Sequence, residues 1–245
     1  MEADSYLFPV PYEWYTDYKV RRYGAHGTSH KYVAERTAEL MGKDLKDINL
    51  ITLHLGSGAS ITAIKGGRCI NTSMGLSPLG GIMMGTRCGD IDPTVVYFMA
   101  KKLGCSPNEM ETYLNKKSGM LGVSGISSDS RDVENAIKEG NDRAKLTYDL
   151  YVNRVINVVG GYVMQLGHVD ALTFTAGLGE HATLVREMIC KKLEEGLGLR
   201  VDYEVNSTCH SEKELSTPDS KVKVYVVPTN EELAIVKDTV RILGL

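Results

Sequence analysis

The sequence lacks any run near the ~18 uninterrupted apolar residues of a membrane span, which argues against a membrane-embedded protein. It also lacks a basic excess. Asp and Glu number 31 against 28 Lys and Arg, and a net charge of -3 argues against a dedicated nucleic-acid binder. The 5 cysteines (Cys69, Cys88, Cys105, Cys190, Cys209) are odd in number, scattered and without a Cys-x-x-Cys pair. A disulfide framework or zinc site is disfavoured, and they read as reduced thiols of a cytoplasmic protein. The acidic start Met1-Glu2-Ala3-Asp4 has neither the basic nor the apolar region of a secretion signal. There is no internal repeat and no low-complexity linker. What is there is an ordinary globular composition, 42% apolar and 24% charged, long enough for one domain or two.

The segment from Tyr6 to Tyr23, aromatic-rich and punctuated by Pro9 and Pro11, reads as irregular structure lying across something else. From Ser29 to Met41, Val33, Thr37, Leu40 and Met41 mark one face of a helix that Gly42 stops and Thr28 or Ser29 caps. Leu50 to Leu55 is mostly apolar, as a buried strand would be. Gly56-Ser57-Gly58 turns it into a second strand, Ala59 to Lys65, and Gly66-Gly67 leads to a third, Arg68 to Asn71. A glycine-rich loop from Thr72 to Gly89 ends at Asp92-Pro93, an N-cap and N1 pair opening a helix through Leu103. After a second loop, Ser118 to Asp129, one long helical pattern runs from about Asp132 to Leu166, weakened at Gly160-Gly161. Ala171 to Thr175 is a strand, Ala176 to Glu180 a tight turn and His181 to Glu195 a helix. A polar surface loop, Ser207 to Ser220, precedes the last strand, Lys223 to Val227, and a terminal helix from Glu231 to Ile242.

Several loops carry residue types suited to phosphate chemistry, each with a plainer alternative. The glycines of Gly56-Ser57-Gly58 let backbone N–H groups approach an anion, or serve turn geometry alone. Ala176-Gly177-Leu178-Gly179-Glu180-His181 leaves a strand and feeds a helix, so its donors and the helix dipole face whatever sits there. Its partial dinucleotide fingerprint fails on context, because Arg200 stands where a strand-end acid is needed. Arg87, in Met84-Gly85-Thr86-Arg87-Cys88-Gly89-Asp90, offers a planar, permanently charged fork for phosphoryl oxygens, or pairs with Asp90 or Asp92. His26 lies beside a glycine ahead of a helix, where its ring could enter a cleft; His30 reads as structural, and neither fits a zinc motif. His54 is either a satisfied core residue or a donor lining the adjacent loop.

Together the segments Arg22–His30, His54–Ser60, Met84–Pro93, Phe174–Glu180 and Pro228–Glu232 resemble one family, the acetate kinases of the acetate and sugar kinase, heat-shock and actin superfamily. The resemblance covers essentially the whole chain. It implies an α/β, ribonuclease-H-like (actin-type ATPase) lobe with a mixed sheet flanked by helices, the first three strands antiparallel. It also implies reversible transfer of the ATP γ-phosphoryl to acetate, giving acetyl phosphate and ADP. His26 and Arg87 would stabilise the transferring phosphoryl. His54, Leu55, Gly56, Ser57 and Gly58 would cradle the nucleotide phosphates. Asp129, Ser130, Arg131, Gly177, Leu178, Gly179, Glu180 and His181 would hold the adenosine. Ala25 and Pro78 would line the acyl pocket, and Glu231 would help hold Mg²⁺ as a hard oxygen ligand.

Departures from the family pattern fall at Ala25 (usually phenylalanine), Ser57 (usually asparagine) and His181 (usually asparagine). The family's amino-terminal lobe, with its phosphate motif, further arginine and catalytic aspartate, has no counterpart here. The resulting division is residues 1–230 as a carboxyl-terminal nucleotide-binding lobe and 231–245 as a terminal helix that packs on the other lobe. The expected partners are ATP or ADP, a short-chain carboxylate, a second copy in a homodimer and a separately supplied amino-terminal lobe, with no nucleic acid and no membrane. Propionate kinase is the alternative within the class, and a non-catalytic nucleotide-binding or dimerising module the alternative outside it.

Overall fold

A computed structural model describes residues 1–244. Two short helices, α1 (Ala3–Tyr6) and α2 (Tyr12–Tyr18), precede α3 (Gly27–Met41). The meander β1 (Asn49–Leu55), β2 (Ala59–Lys65) and β3 (Arg68–Thr72) follows. Beyond the glycine-rich loop lie α4 (Pro93–Leu103), α5 (Pro107–Lys116), α6 (Gly119–Ser124), α7 (Ser130–Lys138) and α8 (Asp142–Leu166). The remainder is β4 (Ala171–Thr175), α9 (Ala176–His181), α10 (Thr183–Leu197), α11 (Tyr203–Thr208), β5 (Lys213–Glu214), β6 (Lys223–Val226) and α12 (Glu231–Leu243).

The strands form one 6-stranded mixed sheet in the order β3-β2-β1-β4-β6-β5. β1 runs antiparallel to β2, with Leu53 opposite Ile61, and parallel to β4, with Leu53 beside Phe174. β2 and β3 are antiparallel, β4 and β6 parallel, β5 and β6 antiparallel. This is the mixed sheet that a ribonuclease-H-like lobe requires, and its first three strands are antiparallel as expected.

Alternation along β1 explains how the sheet is covered. Leu50 faces a core with Val33, Ala34 and Ala38 of α3. Ile51, Leu53 and Leu55 face a larger core with Tyr148, Tyr151, Val155 and Val159 of α8 and Val185 and Ile189 of α10. With helices on both faces, a nearly continuous apolar strand is the stable choice. Each fully buried aliphatic side chain contributes about 1.5–3 kcal/mol. The parallel strands β1, β4 and β6 all end at one edge of the sheet, and ligands of open α/β sheets bind in the crevice outside such an edge.

The structure amends several boundaries. The pattern from Asp132 to Leu166 is two helices, because Gly140 (φ 84) breaks it and Asn141 caps α8 through the N–H groups of Arg143 and Ala144. Gly160-Gly161, by contrast, sits inside continuous helix. The Ala176–Glu180 turn is the short helix α9, and the helix after it begins at Thr183, not at His181. The aromatic opening contains α1 and α2, and the loop Ser118–Asp129 contains α6. The stretch Ser207–Ser220 is less peripheral than its polarity suggests, since Cys209 and Leu215 are buried in it. α12 packs on α3, burying Ala234 and pairing Asp238 with Lys31 at 2.6 Å, and turns Val236, Val240 and Ile242 outward.

Candidate active site

His26 is where the sequence and the backbone first disagree. No side chain caps α3; the residue before its first turn is His26 itself, in a left-handed conformation (φ 63, ψ 27). Such a non-glycine backbone costs on the order of 1–3 kcal/mol and tends to persist at functional positions. Ser29, expected as a cap, instead bonds His54 Nδ1 at 2.8 Å. His26 Nδ1 lies 2.8 Å from Ser60 Oγ on β2, and its ring stacks on His54 with centroids 3.9 Å apart. Burial pushes His26 below its ordinary value of 6.5; the Glu231 carboxylate opposes this and the Arg87 cation adds to it. The imidazole is therefore neutral near neutral pH. His54 is half-buried and held lower still, at about 4, by desolvation and by His26.

Gly58 is the point of convergence. A Cβ built there would lie 3.0 Å from Arg87 Nη1 and 3.7 Å from His26 Nε2. Arg87 forms no ion pair among the described residues: its Nη1 donates to Pro78 O at 3.3 Å and approaches Met84 Sδ at 3.6 Å. The acids proposed as its plainer partners are engaged elsewhere. Asp90 accepts the Gly81 N–H, and Asp92 caps α4 through the Thr94 N–H. The guanidinium head is thus free to bind an anion, and Pro78 meets it through its carbonyl.

The Arg87 loop is clamped by backbone. Met120 N–H donates to Met84 O at 2.8 Å and Leu121 N–H to Gly85 O at 2.9 Å. Gly119 makes this approach possible: its φ is +62, and a Cβ there would fall 2.2 Å from Met84 O. No pattern in the sequence singled out Gly119.

The turn Gly56-Ser57-Gly58 is brought to the same place. Gly85 N–H reaches Ser57 O at 3.4 Å, and Gly56 packs against Ala176 and His54 Nε2. Gly56 N–H is spent inside the turn on Gly58 O at 3.2 Å. Leu55 points its side chain into the core, so only its backbone borders the turn. Ser57 is exposed.

The expected adenosine residues flank this turn. Asp129 caps α7 and binds the Arg131 guanidinium, whose hydrogen bonds hold its carboxyl at about 2. Ser130 O accepts the Tyr148 hydroxyl. Ala176 takes a positive φ of 64, and its N–H donates to Glu180 Oε1 at 2.8 Å. Gly179 packs on the sheet, Gly177 and His181 are exposed, and Leu178 is half-buried.

The sequence profile of the acetokinase family matches residues 1–237. The chain belongs to the acetokinase family. An acetate kinase of Finegoldia magna is 53% identical over 242 residues, 99% of this chain and 61% of that protein. The crystal structure of Porphyromonas gingivalis acetate kinase superposes with a TM-score of 0.96 at 45% identity, covering 99% of this chain and 61% of the other. A propionate kinase structure from Francisella tularensis superposes with a TM-score of 0.91 at 41% identity, covering 97% and 60%. This acetokinase-family chain thus spans about three fifths of the length of the relatives it matches. No described helix is long and apolar enough to cross a membrane.

Against the family's Mg²⁺, the donor set fits in part. Glu231, at the start of α12, is a hard carboxylate near His26. Thr175 is the last residue of β4 and Thr229 lies just beyond the adjacent β6, and their buried hydroxyls have no hydrogen-bond partner among the described residues. Among the described residues no group of three or more His, Cys, Asp or Glu forms a ready-made cage. Mg²⁺ usually takes one or two carboxylates plus phosphate and water, and Glu231 could supply one such carboxylate.

Arg186 escaped the sequence reading. Fully buried on α10, it donates to Gly179 O at 3.0 Å and Glu180 O at 2.8 Å, and also to Asn206 and Cys209 O. It thereby ties the back of α9 to α11. The available signal was a charge inside the apolar stripe Val185, Ile189, Leu193.

Proposed function

We propose that this chain supplies the nucleotide- and phosphoryl-binding wall of an acetate kinase, which transfers the ATP γ-phosphoryl reversibly to acetate. The observation that carries this reading is the meeting of an unpaired guanidinium and a neutral imidazole edge at Gly58, on a glycine turn at the carboxyl end of parallel strands. Phosphoryl transfer asks the protein mainly for positioning and for charge around the equatorial oxygens. Arg87 supplies fixed positive charge in a bidentate fork, and His26 a polar contact from the opposite side. The N–H groups of Ser57 and Gly58 cradle the remaining phosphates, with His54 beside the turn. Asp129–Arg131 and Gly177–His181 flank the adenosine. Glu231 would help hold Mg²⁺, which when bound would offset phosphate charge.

The matched relatives are longer than this chain, and in our reading the remaining wall of the cleft comes from a further lobe, linked or separate. Residues 231–245 form the element that packs on it, consistent with the outward Val236, Val240 and Ile242. A homodimer in the cytoplasm, with its cysteines as free thiols, completes the proposal. The test is acyl hydroxamate formation from acetate and MgATP. The chain alone is expected to turn over negligibly, and the chain with the missing lobe to turn over readily. In that active form Arg87→Ala is expected to lose on the order of 10²–10³-fold in rate, the scale of one oxyanion donor. A near-normal rate would refute the role of Arg87. Nucleotide binding without turnover in any assembly would leave a non-catalytic binding module.

Propionate kinase is the second reading, favoured by Ala25. This small side chain directly precedes His26, where the resemblance leads one to expect phenylalanine, and leaves more room beside the imidazole. Ala25→Phe is expected to lower kcat/KM for propionate relative to acetate, and an unchanged ratio would contradict a role for this position in chain-length choice.

A further inference from the structure

Thr52 on β1 and Ser60 on β2 lie on the sheet face covered by α3, and His30 of α3 stands between them. His30 Nδ1 is 2.7 Å from Thr52 Oγ1, and His30 Nε2 is 2.7 Å from Ser60 Oγ. Ser60 Oγ is in turn 2.8 Å from His26 Nδ1. Thr52, His30 and Ser60 are all buried. The three hydrogen bonds form one line from the interior to His26, and each uses one proton. Burial keeps both imidazoles neutral, His30 at about 3.

Three arrangements fill all three bonds. The one in which Ser60 accepts from both imidazoles strands its own buried hydroxyl proton, since His26 and His30 are its only side-chain partners among the described residues, which leaves two to compare. In the outward one, the Thr52 hydroxyl donates to His30 Nδ1, His30 Nε2–H to Ser60, and the Ser60 hydroxyl to His26 Nδ1. In the inward one every donor reverses, and His30 Nδ1–H donates to Thr52. The arrangements differ at the buried end. The inward one strands the Thr52 hydroxyl proton, since His30 is the only partner of Thr52 Oγ1 among the described residues. Its neighbours across the sheet are engaged already: Thr173 with Thr37, and Thr62 with Thr72. The cost of a stranded buried donor favours the outward arrangement by roughly tenfold or more.

We infer that this line fixes His26 as the neutral Nε2–H tautomer, a hydrogen-bond donor toward the phosphoryl group, with His30 the positioning residue that sets it. The Nε2 edge lies at Gly58 beside Arg87 Nη1 and has no other partner among the described residues. A lone pair there would repel phosphoryl oxygens; an N–H attracts them. The same logic holds for the stacked His54. The Ser29 hydroxyl, whose only partner among the described residues is His54 Nδ1, donates to it and leaves Nε2–H facing Gly56. The use of the proton rests on the phosphoryl-transfer reading, whereas the tautomer rests on hydrogen bonds alone.

The experiment is a long-range ¹H–¹⁵N correlation spectrum of the chain labelled with ¹⁵N-histidine near neutral pH, with His26 assigned by signal loss in His26→Gln. The Nε2–H pattern is expected in the unsubstituted chain and in Thr52→Ser, and a tautomer mixture in Ser60→Ala and His30→Leu. Should His30→Leu fail to fold, the unsubstituted chain and Ser60→Ala still decide. An Nδ1–H or imidazolium pattern in the unsubstituted chain, or an unchanged single tautomer in Ser60→Ala, would overturn the inference. An Nε2–H pattern in a chain that shows no kinase activity in any assembly would uphold the tautomer and count against the functional reading alone.

Discussion

Gly58→Ala separates the site from the fold. The φ of Gly58 lies outside the left-handed region, so alanine meets no backbone penalty there. Reduced freedom of the unfolded chain favours alanine by about 0.4–1 kcal/mol. Against this stands the added Cβ at 3.0 Å from Arg87 Nη1, tighter than ordinary contact. The far end of a flexible side chain relieves that clash by swinging away, so stability is expected to stay within about 1 kcal/mol of the parent. The displaced group is the one proposed to meet the γ-phosphoryl, and misplacement by about 1 Å can cost on the order of 10²-fold in reaction rate. In binding, the loss of one charged contact should weaken ATP about tenfold, or about 1.4 kcal/mol, and leave ADP nearly unchanged. Titration calorimetry of the chain with MgATP and MgADP, alongside urea unfolding, reads both quantities. Equal weakening of the two nucleotides would refute the placement of Arg87 at the γ-phosphoryl. Lost stability with intact ATP affinity would refute the steric argument.

Arg186→Met removes a buried cation and leaves the carbonyls of Gly179, Glu180, Asn206 and Cys209 without their donor. A loss of about 3–5 kcal/mol is expected, about 10 °C in Tm for a chain of this size, and a shift below about 2 °C would contradict it. Acid should weaken the fold through the histidine network. His30 and His54 are held at about 3 and about 4, below the ordinary 6.5, so below pH 6.5 the unfolded chain takes up protons that the native chain refuses. Stability therefore falls as pH drops from 6.5 toward 4 and 3, by about 2 kcal/mol per histidine at pH 5. Urea unfolding at pH 7 and pH 5 checks this, and a flat profile would contradict it.

The strands and the loops between them were legible because their signals are local: apolar runs, glycine pairs and the Asp92-Pro93 cap. The order β3-β2-β1-β4-β6-β5 has no such local signature; the resemblance supplied only a mixed sheet with its first three strands antiparallel, and β5 was hidden in a polar stretch. At the site, His26, Arg87 and the Gly56–Gly58 turn were visible as residue types on loops. What escaped depends on contacts distant in sequence. Ser60 and Thr52 read as ordinary strand residues until α3 lays His30 between them. Gly119 looks like any loop glycine until Met84 O presses on it, and Arg186 like any helix charge until α11 closes over it. The break at Gly140-Asn141 was legible in principle, since a glycine stop followed by an Asn cap is a standard boundary, but the apolar period continued through it.

The measurement closest to the central claim is a crystal structure of the chain with Mg²⁺ and a non-hydrolysable ATP analogue. The account predicts the γ-phosphoryl at Gly58, within hydrogen-bond reach of Arg87 and His26 Nε2, with Glu231 on the metal side. A triphosphate seated elsewhere, with Arg87 and His26 untouched, would contradict it.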